Sequence, residues 1–169
     1  SLPPIYVKIP ATVTNNGGPT LSPTLEESGS LDIDIIGYIN ALKDNATITI
    51  NENQNGTNYG DSSNFVTCYS EPTDPPHYEL KLSNVIGYGI LLVKGNLELG
   101  GGFTWHGLVL TSGELKLNGG AGGINVYGSI FSSNTIDVNG GLDLEYDSCE
   151  IENALINQPL KVIKWKEVY

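Results

Sequence analysis

Between Gly89 and Gly141 the chain repeats itself three times without a gap, as Gly89-ILLVKGNLELGG-Gly102, Gly107-LVLTSGELKLNG-Gly120 and Gly128-SIFSSNTIDVNG-Gly141. Each block opens on glycine, places Gly95, Gly113 or Asn134 at the same internal position, and closes on a Gly-Gly pair. Self-similarity at a fixed short period is the mark of a chain that folds coil upon coil. Behind the internal glycine or asparagine, Leu97/Leu99, Leu115/Leu117 and Ile136/Val138 alternate with polar residues. That alternation puts the aliphatics inside and Glu98, Lys116 and Asp137 outside. A second apolar pair follows each block: Phe103 and Trp105, Ile124 and Val126, Leu142 and Leu144. The pattern predicts three strands per coil, with Leu91, Val109 and Ile130 forming a further inward column. Blocks start 18 and then 21 residues apart, and Ala121-Gly122-Gly123 absorbs the difference as a loop insertion. One coil cannot bury its own apolar row, whereas stacked coils pair their backbones and share a core. The expected fold is therefore mainly β, a short parallel β-solenoid of about three coils. Gly95, Gly113 and Asn134 are expected at equivalent turns, since glycine and asparagine tolerate left-handed backbone.

The flanking sequence differs in kind. Fifteen of the 21 glycines lie in the 55 residues from Gly87 to Gly141, and no proline occurs between His77 and Gln158. Proline removes a ladder donor, so its absence suits strands paired on both sides. Five of the nine prolines fall within residues 1–30, which read as an irregular lead-in. From Leu31 to Ala46, Ile35, Ile39, Leu42 and Ala46 share one helical face. Asp32 and Asp34 stand near its start and Lys43 near its end, in the sense the helix dipole favours. Open solenoid ends invite strand addition, so this helix and the C-terminal segment are expected to cap them. Thr47–Ile50 reads as a short strand and 51–61 as a polar loop. The 169 residues divide into a lead-in (1–30), a helix-containing capping region (31–86), the solenoid (87–146) and a C-terminal segment (147–169), all in one domain.

Composition removes several function classes. The formal charge is −11 and all eight basic residues are lysines. Nucleic-acid binding needs a basic stripe to displace counterions from phosphates, and an anionic membrane surface would also repel this chain. No apolar run reaches the roughly 20 residues that span a bilayer. The sequence contains no methionine and begins at Ser1, which leads us to expect a segment upstream that holds a signal or an anchor. Cys68 and Cys149 lack a C-x-x-C partner, and only His77 and His106 accompany them, which excludes the usual structural zinc patterns. In an oxidising compartment the two cysteines could pair as a disulfide; two free thiols are the alternative.

Candidate sites reduce mostly to surface structure. Glu98, Lys116 and Asp137 read as an exposed charge ladder of small energetic weight. Glu145, Asp147, Glu150 and Glu152 gather acids, but neither a D-x-D-x-D-G loop nor a G-G-x-G-x-D repeat accompanies them, so calcium is not expected. His106 aligns with Tyr127 and Glu145 in the outward row and reads as an exposed strand residue. No nucleophile motif stands near either histidine. The Gly87–Gly89 G-x-G lacks the following helix of a dinucleotide site. Asn45-Ala-Thr47 and Asn55-Gly-Thr57 are formal sequons, relevant only to a eukaryotic secretory route. Parallel β-helix lyases and hydrolases need a long groove with aimed carboxylates or basic groups, which three coils without arginine do not offer. Neither catalytic residues nor a cofactor are therefore expected.

These segments together resemble the C-terminal regions of bacterial type IV pilus assembly proteins of the PilX-like family. The resemblance runs over IDIIGYINALKDNA (33–46), NYGDSSNFVTCY (58–69), GYGILLVKGNLELGGGFTWHGLVL (87–110), INVYGSIF (124–131), YDSCEIENAL (146–155) and LKVIKWKEVY (160–169). The 87–110 stretch is its most specific part. It implies a non-enzymatic structural or accessory component of a pilus or related envelope fibre, with pilins or other pilus-assembly proteins as partners. It also implies an extracytoplasmic place, with membrane attachment only through an N-terminal hydrophobic helix that this sequence lacks. A solenoid adhesin for polysaccharide or a surface is the alternative function, and a bactofilin-like polymer-forming scaffold the third.

Overall fold

The computed structural model describes residues 33–76 and 78–156, together with the backbone of three short strands in the lead-in, β1 (Ile5–Val7), β2 (Val13–Asn15) and β3 (Glu26–Glu27). A helix, α1 (Ile35–Leu42), is followed by a 3₁₀ turn at Lys43–Asn45. Asp34 caps α1 by accepting from the Gly37 N–H at 2.9 Å. A Cβ on Gly37 would sit 2.3 Å from the Asp34 carboxylate, so the glycine that weakens helix propensity is what lets the cap form.

The chain then winds into a parallel β-solenoid of about five turns, two more than the repeat predicts. The first turn is β4 (Ile48–Thr49), β5 (Gln54–Asn55) and β6 (Asn58–Tyr59). The next begins with β7 (Val66–Ser70) and β8 (Glu79–Ser83). From there long strands close one turn and open the next: β9 (Ile86–Val93), β11 (Phe103–Thr111) and β13 (Ile124–Ser132). Shorter strands form the remaining face: β10 (Asn96–Gly100), β12 (Leu115–Asn118) and β14 (Ile136–Asn139). Last come β15 (Leu142–Glu145) and a second helix, α2 (Ser148–Leu155). Two parallel sheets result, one built on β4-β7-β9-β11-β13 and the other on β5-β8-β10-β12-β14. The additional turns were hidden because their strands are only two to five residues long and carry none of the glycine signature.

Register agrees with the repeat residue by residue. Leu97, Leu115 and Ile136 are direct neighbours, as are Leu99, Leu117 and Val138, and Leu91, Val109 and Ile130. All nine lie in the buried interior together with Phe103, Trp105, Ile124 and Val126. The Trp105 indole lies over Gly87, its partner on β9, where a Cβ would come within 2.0 Å of the ring. Its Nε1–H donates to the Gly89 carbonyl at 3.0 Å. A large residue beside an absent one keeps the column close-packed.

Several local expectations need correction. Of the three expected turn positions only Gly95 has a positive φ, at +157°; Gly113 and Asn134 do not, and positive φ recurs instead on the stacked column Gly89, Gly107 and Gly128, at +131°, +126° and +142°. Turns are held instead by inward hydroxyls: Ser70 Oγ donates to Ile50 O at 2.7 Å, Thr111 Oγ1 to Gly95 O at 2.7 Å and Ser132 Oγ to Gly113 O at 2.9 Å. The predicted capping helix covers a flank, not an end. Ile35, Ile39 and Leu42 of α1, with Ala154 of α2, pack on the outward aliphatics Ile90, Leu92, Leu108 and Leu110. Those four residues are apolar on the outer face as well as the inner, so the face must be covered, and two helices cover it. Lead-in strands β1 and β2 pair with β13 and β14 respectively, continuing the stack where an irregular segment was expected. Within the expected polar loop at 51–61, β5 and β6 extend the two sheets. His77 and residues 157–169 lie outside the described residues, so the C-terminal segment is seen as α2 alone.

Candidate functional site

Two outward features concentrate polar chemistry. The first is the charge ladder on the face formed by β8, β10, β12 and β14. Lys81, Glu98, Lys116 and Asp137 stand in register, alternating in sign. Lys81 Nζ is 2.8 Å from Glu98 and 3.2 Å from Glu79, and Lys116 Nζ is 3.1 Å from Glu79 and 3.6 Å from Glu114. Glu79, missed in the sequence because it lies one turn before the recognised repeat, is the hub. Its side chain is only 6% exposed. Burial alone would push its carboxyl up, but hydrogen bonds from Lys116 and then Lys81 outweigh that and hold it below the ordinary value. Lysine ammonium groups so placed are held above their usual range by Glu98 and Glu79 for Lys81, and by Glu79 for Lys116. Both lysines are thus tied to Glu79, and the opposed directions of these shifts favour the ion pairs over proton transfer between their members.

Beside the ladder an open cleft of about 460 Å³ lies between the 51–53 and 72–75 loops and the start of β8. Asn51, Asn53, Thr73, Asp74, Glu79 and Lys81 supply its polar lining. Asn53 is fixed by accepting from the Lys81 N–H at 2.8 Å, standing in for the strand that β5 provides only further along β8. Such a cleft offers amides and carboxylates, Asn53 among them held in place, to a hydroxyl-bearing ligand.

The second feature is a ring column on β9, β11 and β13. His106 is outward, as expected, but not simply exposed: it is sandwiched between Tyr88 (4.3 Å between ring centres, 3° apart in plane) and Tyr127 (4.8 Å, 21°). Phe65 meets Tyr88 edge-on at 5.9 Å. Glu145 occupies the next position after Tyr127. From α2, Glu150 Oε1 comes within 3.6 Å of His106 Nδ1.

The remaining candidates separate. Cys68 and Cys149 are both free thiols: Cys68 is fully buried inside the solenoid and Cys149 is exposed on α2. They lie on opposite sides of the sheet wall, so the disulfide reading is not realised. Burial pushes the Cys68 thiol up to about 12, which keeps it protonated and unreactive. Of the acids grouped near the end, Asp147 is used as the α2 cap, accepting from the N–H groups of Cys149 and Glu150. No group of three or more metal-ligating side chains converges among the described residues. No helix among them is long and apolar enough to cross a membrane. Comparison of the chain with protein families, with curated proteins and with solved structures finds no match.

Proposed function

We propose that this chain is a rigid structural domain of a type IV pilus or related envelope fibre, acting outside the cytoplasm by contact and not by catalysis. The observation that carries the reading is where the pilus-like segments fall. GYGILLVKGNLELGGGFTWHGLVL is β9 to β11, INVYGSIF is β13, and YDSCEIENAL is α2 with its capping aspartate. β9, β11 and α2 pack on one another through Ile90, Leu108, Leu110 and Ala154, and β13 pairs with β11, so these segments are contiguous in the fold. Continuous backbone ladders make them a stiff unit, and on the ladder face Lys81 and Lys116 are both tied into ion pairs with Glu79. A stiff body of this kind suits display on a fibre, with pilins or other pilus-assembly proteins as partners and attachment through a hydrophobic helix outside this sequence.

The test is genetic. Deleting the gene in its host should reduce pili, twitching or surface attachment, and a copy lacking residues 33–156 should fail to restore them. Normal phenotypes in all three assays overturn the reading. The polar cleft favours a second reading, an adhesin for polysaccharide. In that case piliation stays intact in the deletion strain while the purified domain binds the host's or a neighbour's polysaccharide.

A further inference from the structure

The cleft beside the charge ladder is also a gap in a sheet. β8 pairs with β10 along Glu79–Leu82 on one side, whereas β5 meets its other side only at Leu82 and Ser83. Over Glu79–Lys81 no strand of the described residues covers that second edge. Lys81 turns its N–H to it and donates to the Asn53 side chain at 2.8 Å. Backbone groups alternate in direction along a strand, so Glu79, two residues earlier, turns its N–H and C=O the same way. The 51–53 and 72–75 loops wall this edge and leave about 460 Å³ between them. An open edge between two walls is a geometry that takes up an extended segment as an added strand.

The lining selects the segment. Glu52, Asp74 and Glu79 bring carboxylates to the cleft, and its lysine, Lys81, is already paired with Glu79 and Glu98. Glu52 and Asp74 have no ion-pair partner among the described residues. No aromatic ring lines the cleft for a sugar face to stack on. A lysine-bearing extended peptide fits these features, and the chain itself contains one. Residues 157–169, which lie outside the described residues, carry Lys161, Lys164 and Lys166 against Glu167. After Pro159 no proline would remove a ladder donor, and Val162, Ile163, Trp165, Val168 and Tyr169 are of the types that strands favour. α2, from which this tail leaves, packs on the outer face of the β9 and β11 sheet, whereas the open edge belongs to the other sheet. We infer that the cleft binds the 160–169 segment of a second copy as an added strand beside Glu79–Lys81. Such a contact joins two different surfaces, so it builds open chains of copies. It goes beyond the fibre reading and does not depend on it.

Sedimentation velocity of the full chain tests this. The wild type should associate as its concentration rises, about tenfold more weakly at high salt than at low salt. Reversing the tail charges (Lys161→Glu, Lys164→Glu and Lys166→Glu together) should leave a monomer, as should reversing the wall charges (Glu52→Lys with Asp74→Lys). Mixing the two variants should restore association, because one keeps the native cleft and the other the native tail. In the monomeric tail variant, a synthetic 157–169 peptide should shift the amide resonances of Asn53 and Glu79–Lys81 and leave those of 108–111 in place; if the wall variant does not fold, this measurement decides alone. A wild type that stays monomeric at every concentration, including one whose tail fills its own cleft, overturns the inference. So does a peptide that leaves those resonances unmoved while the host's polysaccharide shifts them.

Discussion

Gly107→Ala is the sharpest probe of how the turns are stacked. Gly107 has φ +126°, and a Cβ built there would lie 2.2 Å from the carbonyl oxygen of Gly89. Backbone held in a region that L side chains avoid costs about 1–3 kcal/mol. Relieving the overlap means displacing a carbonyl that cannot yield freely, because it belongs to the parallel ladder and accepts from Trp105 Nε1 at 3.0 Å. Overpacking of that kind adds about 1–3 kcal/mol, for a total of roughly 2–6. Gly56→Ala is the internal control. Its φ is +79° with nothing within 4 Å of a built Cβ. Only the left-handed strain remains, about 1–2 kcal/mol, and the stiffer unfolded chain returns about 0.4–1 of it. Urea unfolding followed by far-UV circular dichroism should show a much larger midpoint shift for Gly107→Ala than for Gly56→Ala, with similar slopes. Equal losses at the two sites would refute the idea that the glycine column is needed for close approach of successive turns.

The repeat and the charge hub give two further expectations. Leu115 is fully buried between Leu97 and Ile136 on strands that cannot collapse inward, so Leu115→Ala should cost about 3–5 kcal/mol; Lys116→Ala should cost about 1, because Lys81 still holds Glu79, and equal costs in urea titrations would mean the inward and outward rows are misassigned. Glu79 has its folded carboxyl held down by Lys116 and Lys81, so its contribution is present above the ordinary carboxylate range and is lost as pH falls through the lower, folded value. Glu79→Gln should therefore lose about 1–2 kcal/mol at pH 7, and the gap should close only as pH falls below the ordinary carboxylate range, whereas a gap that persists unchanged through the acid limb of the titration would deny the ion pairs their role.

The central coils were legible because inward and outward positions there alternate strictly and the glycines recur in phase. Leu97, Leu115 and Ile136 could be aligned from the chain alone, and they are in direct register. The outer turns were not legible for a physical reason. A two-residue strand such as Gln54–Asn55 has no period to read, and it exists because a neighbour already offers a ladder to join. Pairing partners, and not local propensity, decide such strands. The helix expected over 31–46 was visible from its apolar stripe, and it is realised as α1 over 35–42 with a 3₁₀ turn after it that leaves Ala46 outside; a stripe, however, says only that something covers it. Ile90, Leu92, Leu108 and Leu110 supply that partner surface, at outward positions of the same strands that carry Leu91 and Val109 inward.

The same distinction separates the two polar features. Glu98, Lys116 and Asp137 could be placed in a row because all three lie inside the repeat, yet the residue that binds the row together, Glu79, lies outside it and carries no motif. His106 was placed correctly in the outward row with Tyr127, since both follow the repeat. Its environment depends on a helix 44 residues further along (150 − 106), which brings a carboxylate over the ring while Tyr88 and Tyr127 close its two faces. Outward on a strand means exposed only while nothing packs on that face. Here the chain returns on itself, and an imidazole that alternation assigns to solvent becomes a half-buried group facing an acid. Chemistry on a solenoid of this kind therefore arises where a non-repeating element meets a repeating row, and a repeat read in isolation does not contain it.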